Sequence, residues 1–86
     1  MTDPPLEEIQ HAAKYGSILF TSHANDRLDD RNLRHADVLR AIETAQIAAP
    51  QGDGKARVSG GVDVDGVGLE VVCKLIHSGL LIITLF

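Results

Sequence analysis

The sequence has no tryptophan, one tyrosine (Tyr15), two phenylalanines (Phe20 and Phe86) and one cysteine (Cys73). Its core must therefore be aliphatic. A lone thiol cannot close an internal disulfide, so nothing points to an oxidising compartment. Cys73 lies within an apolar alternation. A buried structural thiol is expected there, because a nucleophilic cysteine needs an accessible, thiolate-stabilising site. No segment reaches the ~20 apolar residues of a membrane helix. The start of the chain is acidic (Asp3, Glu7, Glu8) and lacks the basic and apolar regions of a signal peptide. A cytoplasmic location and no membrane partner are expected.

There is no basic excess either. Eight Lys and Arg against twelve Asp and Glu leave a net charge of −4. This argues against nucleic-acid binding driven by electrostatics over the whole surface, but not against a small basic site. Metal-ligand spacings are missing: there is no HExxH or CxxC, and none of His11, His23, His35 and His77 stands at ligand spacing from another His or Cys. No metal and no cofactor are expected. P-loop, GxGxxG and GxSxG patterns are absent. The GGVDVDG segment lacks the ligand spacing and closing Glu of a calcium loop.

What is present fits one small domain of 86 residues, 44% hydrophobic and 23% charged. Such a chain buries only roughly 60–65% of the surface it exposes when unfolded, so its stability margin is thin. The pattern predicts a helix over residues 3–15, capped by Asp3, with Pro4 and Pro5 in its first turn and Glu7 and Glu8 at its positive end. Leu6, Ile9 and Ala13 form its apolar stripe, and Gly16 stops it. Residues 17–20 read as a short strand. Thr21 or Ser22 can cap a second helix running to about Arg31, with Asn32 as its turn residue. A third helix is expected over roughly 35–46, burying Val38, Leu39, Ile42 and Ala45.

Pro50, Gly52 and Gly54 mark a loop, after which the period changes to two. Ala56, Val58, Val62 and Val64 alternate with Lys55, Arg57, Ser59 and Asp63. Asp65-Gly66 signals a hairpin, and Val67, Leu69, Val71, Cys73 and Leu75 alternate with Gly68, Glu70 and Lys74. Ser78-Gly79 is a second turn, and the apolar residues 80–86 read as a central strand covered on both sides. The expected fold class is α+β, with N-terminal helices packed on one face of a small antiparallel sheet, a three-stranded meander.

His23, Arg27 and Arg31 stand at i, i+4 and i+8 of the second helix. Each step rotates only about 40°, so the three share a slanted stripe, with Ala24 and Leu28 turned toward the core. Arg offers a charged planar fork that suits phosphate. His can exchange a proton near neutral pH. Asp26, Asp29 and Asp30 on the same helix allow another reading, in which carboxylates neutralise the arginines as solvated pairs worth ~0.3–0.5 kcal/mol each. On spacing alone the solvated surface is the stronger of the two. Lys55 and Arg57 share a strand face with Ser59. That face is either a second wall of a phosphate cleft or the solvent side of an edge strand, where Lys blocks aggregation; alone, the edge strand is the stronger reading.

The stretch FTSHANDRLDDRNLRHADVLRAIE is similar to the opening of a bacterial family, domain of unknown function 4258, through Thr21, His23, Ala24, Arg27, Arg31, Val38 and Ile42. The closing IITLF, with Thr84, also resembles that family, and the likeness covers about residues 17–86. The family looks like a branch of the RelE/barnase-like ribonuclease fold found beside antitoxin genes. This resemblance implies an endoribonuclease toxin of a toxin–antitoxin pair that cleaves mRNA without metal, its partners being RNA and a cognate antitoxin, with a homodimer as an allowed assembly. It implies catalytic roles for His23, Arg27 and Arg31 and substrate-binding roles for Lys55, Arg57 and Thr84. A base would take the 2′-OH proton, arginines would stabilise the charged transition state, and an acid would protonate the leaving 5′-oxygen. Two other functions stay open: a non-catalytic protein- or anion-binding module on the same fold, and an antitoxin or immunity-type protein, which the acidic charge suits.

Overall fold

A computed structural model describes residues 6–86; the cap expected at Asp3 and the turn at Pro4 and Pro5 lie outside them. Helix α1 spans Leu6–Tyr15 and buries Ile9, with Leu6, Ala12 and Ala13 packed beside it. It ends at Gly16, whose N–H reaches Ala12 O at 2.9 Å. Strand β1 (Ser17–Phe20) leads into α2 (Ser22–Arg31), and α3 covers His35–Thr44. Strands β2 (Ile47–Gly52), β3 (Lys55–Ser59), β4 (Val71–Ile76) and β5 (Gly79–Leu85) complete the chain.

The sheet has five strands in the order β1-β5-β4-β3-β2. Its antiparallel part has four strands rather than three, and β1 adds to β5 in parallel, so the sheet is mixed. The parallel pairing needs a very close approach. A Cβ on Gly16 would stand 2.7 Å from Gly79 Cα, and one on Gly79 would overlap the Ser17 carbonyl oxygen. Only glycine fits at these two positions.

Two expectations about the strands are corrected. The loop expected at Pro50, Gly52 and Gly54 is an edge strand followed by a tight hairpin. Proline is tolerated in β2 because an edge strand has one unpaired side. The reversal falls at Gly52, Asp53 and Gly54, all at positive φ (84°, 54° and 78°). The chain reverses at Asp65-Gly66 as expected, but the strands that flank the turn do not run up to it. Residues 60–70 hold only one bridge, Val62 to Gly68, and Val64 and Val67 are exposed. The Asp63 side chain explains this: Oδ1 accepts from the N–H groups of Asp65 and Val67, both at 2.9 Å, and so replaces a strand ladder with a local turn.

The same loop is pinned to α3. Thr44 Oγ1 accepts from Val62 N at 2.9 Å. The buried Asp37 accepts from Val64 N at 3.2 Å and from Arg34 N at 2.9 Å, where it also caps the helix. Helix α3 stops at Thr44, short of the expected 46, because Gln46 N turns to Ser59 O at 2.9 Å and starts the pairing of β2 with β3.

One aliphatic core joins all three helices to one face of the sheet. It gathers Ile9, Ala24, Leu28, Val38, Ala41 and Ile42 with Ala56, Val58, Val71, Cys73, Leu80, Ile82 and Leu85. Ala45 is buried as expected, whereas Leu39 is only half-buried. Strand β5 lies inside the sheet, but only one of its faces is fully buried; Leu81, Ile83 and Thr84 are half-buried. Val72 pairs with Thr84 while Cys73 pairs with Ile82, so Ile83 is an extra residue that bends β5 near its end.

Ile42 has no exposed surface. Ile42→Ala is expected to lower unfolding free energy by roughly 2–5 kcal/mol in urea titration. Burial pushes the Cys73 thiol up from 9.0 to about 12. Below the unfolded value the thiol is neutral in both states; as pH rises through that window only the unfolded thiol ionises, so its stabilising contribution is lost. The wild type is expected to lose more stability between about pH 8 and about pH 10.5 than Cys73→Val does, measured by urea midpoints at both pH values.

Candidate functional site

Helix α2 is placed by one side chain at its start. Thr21 is the N-cap: its Oγ1 accepts from Ala24 N at 3.0 Å and donates to Ile83 O at 2.8 Å. The hydroxyl thus caps the helix and ties it to the bent end of β5. Asn32 ends the helix in the left-handed conformation, at φ 55°. Ala24 and Leu28 enter the core, as the spacing predicts, and the His23–Arg27–Arg31 stripe is left on the flank. His23 and Arg31 are exposed and Arg27 is half-buried.

Arg27 reaches the end of the sheet. Its guanidinium carbon stands 5.8 Å from the centroid of the Phe86 ring, and that of Arg57 stands 4.4 Å from the same centroid. Arg57 Nε donates to Glu70 Oε1 at 2.7 Å. Glu70 and Phe86 are themselves paired through their backbones, at 2.8 and 3.3 Å. Arg57 faces Val72 across β4, and Val72 faces Thr84 on β5, so Arg57 and Thr84 lie in one row across the sheet. Two buried polar atoms here, Arg27 Nε and Thr84 Oγ1, have no hydrogen-bond partner among the described residues.

The expected residues are therefore only partly gathered. Arg27, Arg57 and Thr84 converge on the end of β5. His23 and Arg31 flank Arg27 one turn away on each side. Lys55 lies two residues from Arg57 on the same strand face, opposite Lys74. Strand β3 is internal, because β2 pairs on its outer side, so Lys55 and Arg57 do not guard a sheet edge. The solvated pairing of the α2 arginines is not formed: among the described residues no carboxylate lies within 4.0 Å of Arg27 or Arg31. Cavities of about 370 and 340 Å³ lie against α1 and its neighbours, away from these residues. Among the described residues no cluster of His, Cys, Asp and Glu is placed to hold a metal ion.

Glu70 and Phe86 were not among the sequence candidates. The alternation along β4 already sets Glu70 and Lys74 on the polar side, but only the register shows that Glu70 meets Arg57. Phe86 reads simply as the end of an apolar run.

Residues 20–86 match the family described as Domain of unknown function (DUF4258). The chain belongs to this family. Within it fall α2, α3 and strands β2 to β5, hence every residue of the site; α1 lies before the matched region. No curated protein and no solved structure matches the chain significantly. The description of DUF4258 assigns no activity, so function has to be argued from the geometry.

The Arg57–Glu70 contact is short, but its side chains are 38% and 43% exposed, and solvent screens it. A double-mutant cycle with Arg57→Ala and Glu70→Ala is expected to give a coupling of about 0.2–1 kcal/mol in urea unfolding. A coupling above roughly 2 kcal/mol would show that the pair holds the sheet together rather than orienting the arginine.

Proposed function

We propose that this DUF4258 chain is a metal-independent endoribonuclease acting on mRNA, the toxin of a bacterial toxin–antitoxin pair. The observation that carries the reading is the meeting of Arg27 and Arg57 at one ring, with the buried Arg27 Nε unclaimed by any described group. Arg27, with no carboxylate within 4.0 Å among the described residues, beside Arg57, which spends only its Nε on Glu70, presents donors from two elements that suit a phosphodiester. In the proposed reaction a base takes the 2′-OH proton and the freed oxygen attacks phosphorus. Arg27, Arg31 and Arg57 stabilise the doubly charged transition state. The bond to the 5′-oxygen breaks as an acid protonates it, leaving a cyclic phosphate and a 5′-OH. His23 is assigned one proton transfer, and Glu70, held beside the arginines, the other. Lys55 and Thr84 would contact the flanking backbone, and a cognate antitoxin would cover the same basic face. The Thr21, His23, Arg27 and Arg31 pattern is shared with DUF4258, and the likeness of that family to RelE/barnase-like ribonucleases supports this reading.

A second reading has an observation of its own. The His23 ring is exposed and makes no hydrogen bond to the described residues, so none of them orients it for proton transfer. A non-catalytic anion-binding module would need no such orientation. An RNA cleavage assay in EDTA separates the two. Expected are 5′-OH products from the wild type and a loss of at least about 10²-fold in rate for His23→Ala and Arg27→Ala. Expression should arrest growth, and either substitution should relieve the arrest. RNA bound but recovered intact would favour the binding module.

A further inference from the structure

We propose that Phe86 is a positioning residue, whose ring holds the Arg27 and Arg57 guanidinium groups as a pair that binds a single phosphodiester. The proposal rests on reading this site as one that binds phosphate groups. A guanidinium has two donor edges, Nε with one Nη and the two Nη together, and two flat faces. Arg57 spends its Nε on Glu70 Oε1 at 2.7 Å and lies over the Phe86 ring at 4.4 Å. Held at one edge and one face, it keeps the edge formed by its two Nη groups for a ligand. Arg27 arrives from α2 and stands 5.8 Å from the same ring. Two cations gathered in this way repel each other, and among the described residues no carboxylate lies within 4.0 Å of Arg27. The negative face of an aromatic ring offsets that repulsion without filling a donor site, as a second carboxylate would.

The ring has no comparable role in the core. Phe86 is 43% exposed and stands outside the buried cluster. Its position is nonetheless fixed, because its backbone pairs with that of Glu70 in both directions. Glu70 therefore sets the ring through its main chain and Arg57 through its side chain. The three groups keep one geometry, and α2 brings Arg27 to it.

Arginine Nε–H resonances of the whole chain test this in wild type, Phe86→Leu and Phe86→Trp. In the wild type both resonances should carry a ring-current displacement. Titration with inorganic phosphate, and separately with a short RNA, should move both together with one Kd for each ligand. Phe86→Leu keeps apolar bulk but has no quadrupole; it should lose the displacement and weaken both Kd values about tenfold. Phe86→Trp should restore both. The proposal is overturned if Phe86→Leu binds as tightly as the wild type, or if only one arginine responds. A response to free phosphate without one to RNA overturns the phosphodiester assignment. If both ligands bind through the pair but no RNA is cut, the nuclease reading falls and the positioning role stands.

Discussion

The hydroxyl of Thr21 joins the start of α2 to the far end of the chain. It accepts the Ala24 N–H at the start of α2 and donates to the Ile83 carbonyl on β5. Ile83 is the extra residue at which β5 bends, so its carbonyl is offered at an irregularity in the ladder. Once α2 is anchored there, helical geometry does the rest. Ala24 and Leu28 turn into the core, and Arg27 follows the flank to the end of the sheet. Losing the cap would therefore do more than fray a helix; it would release one of the two arginines from the place where they meet.

This arrangement reconciles an acidic chain with a basic site. The net charge of −4 describes the whole surface, whereas recognition depends on the local field. Arg57, Lys55 and Lys74 share one sheet face, with Glu70 as the carboxylate paired among them. Arg27 adds a charge from the neighbouring helix. Asp26, Asp29 and Asp30 are exposed on α2 and make no ion pair with its arginines.

The legible parts of the fold were those governed by local rules. A cap at Thr21 or Ser22, the Asn32 stop and the core faces of α2 and α3 follow from helical periodicity and capping chemistry; the structure caps at Thr21 and departs on the core faces at Leu39 alone of the residues expected there. The alternation of Lys55 and Arg57 with Ala56 and Val58 also holds. The parts that could not be read depend on competition or register. Pro50 looks like a breaker unless its strand is known to be at an edge. The valines at 62, 64 and 67 look like strand residues until the Asp63 carboxylate takes the N–H groups that a ladder needs. The site divides in the same way. The stripe on α2 was visible from helical arithmetic, but the meeting of Arg57, Glu70 and Phe86 requires a strand register that a bulge shifts by one residue.

The parallel pairing of β1 with β5 has a kinetic consequence. The run from β2 to β5 pairs strands that are neighbours in the chain. Strand β1 and helix α2 must instead find β5 across a separation of 62 residues, the distance in sequence spanned by the Thr21–Ile83 bond. Closing so long a loop costs entropy before any contact repays it, so high contact order puts this docking late in folding. A partly folded chain would then carry its hairpins complete while Arg27 was still away from Phe86. The end of β5, where helix and sheet arginines meet at one ring, thus depends on the docking that closes the longest loop.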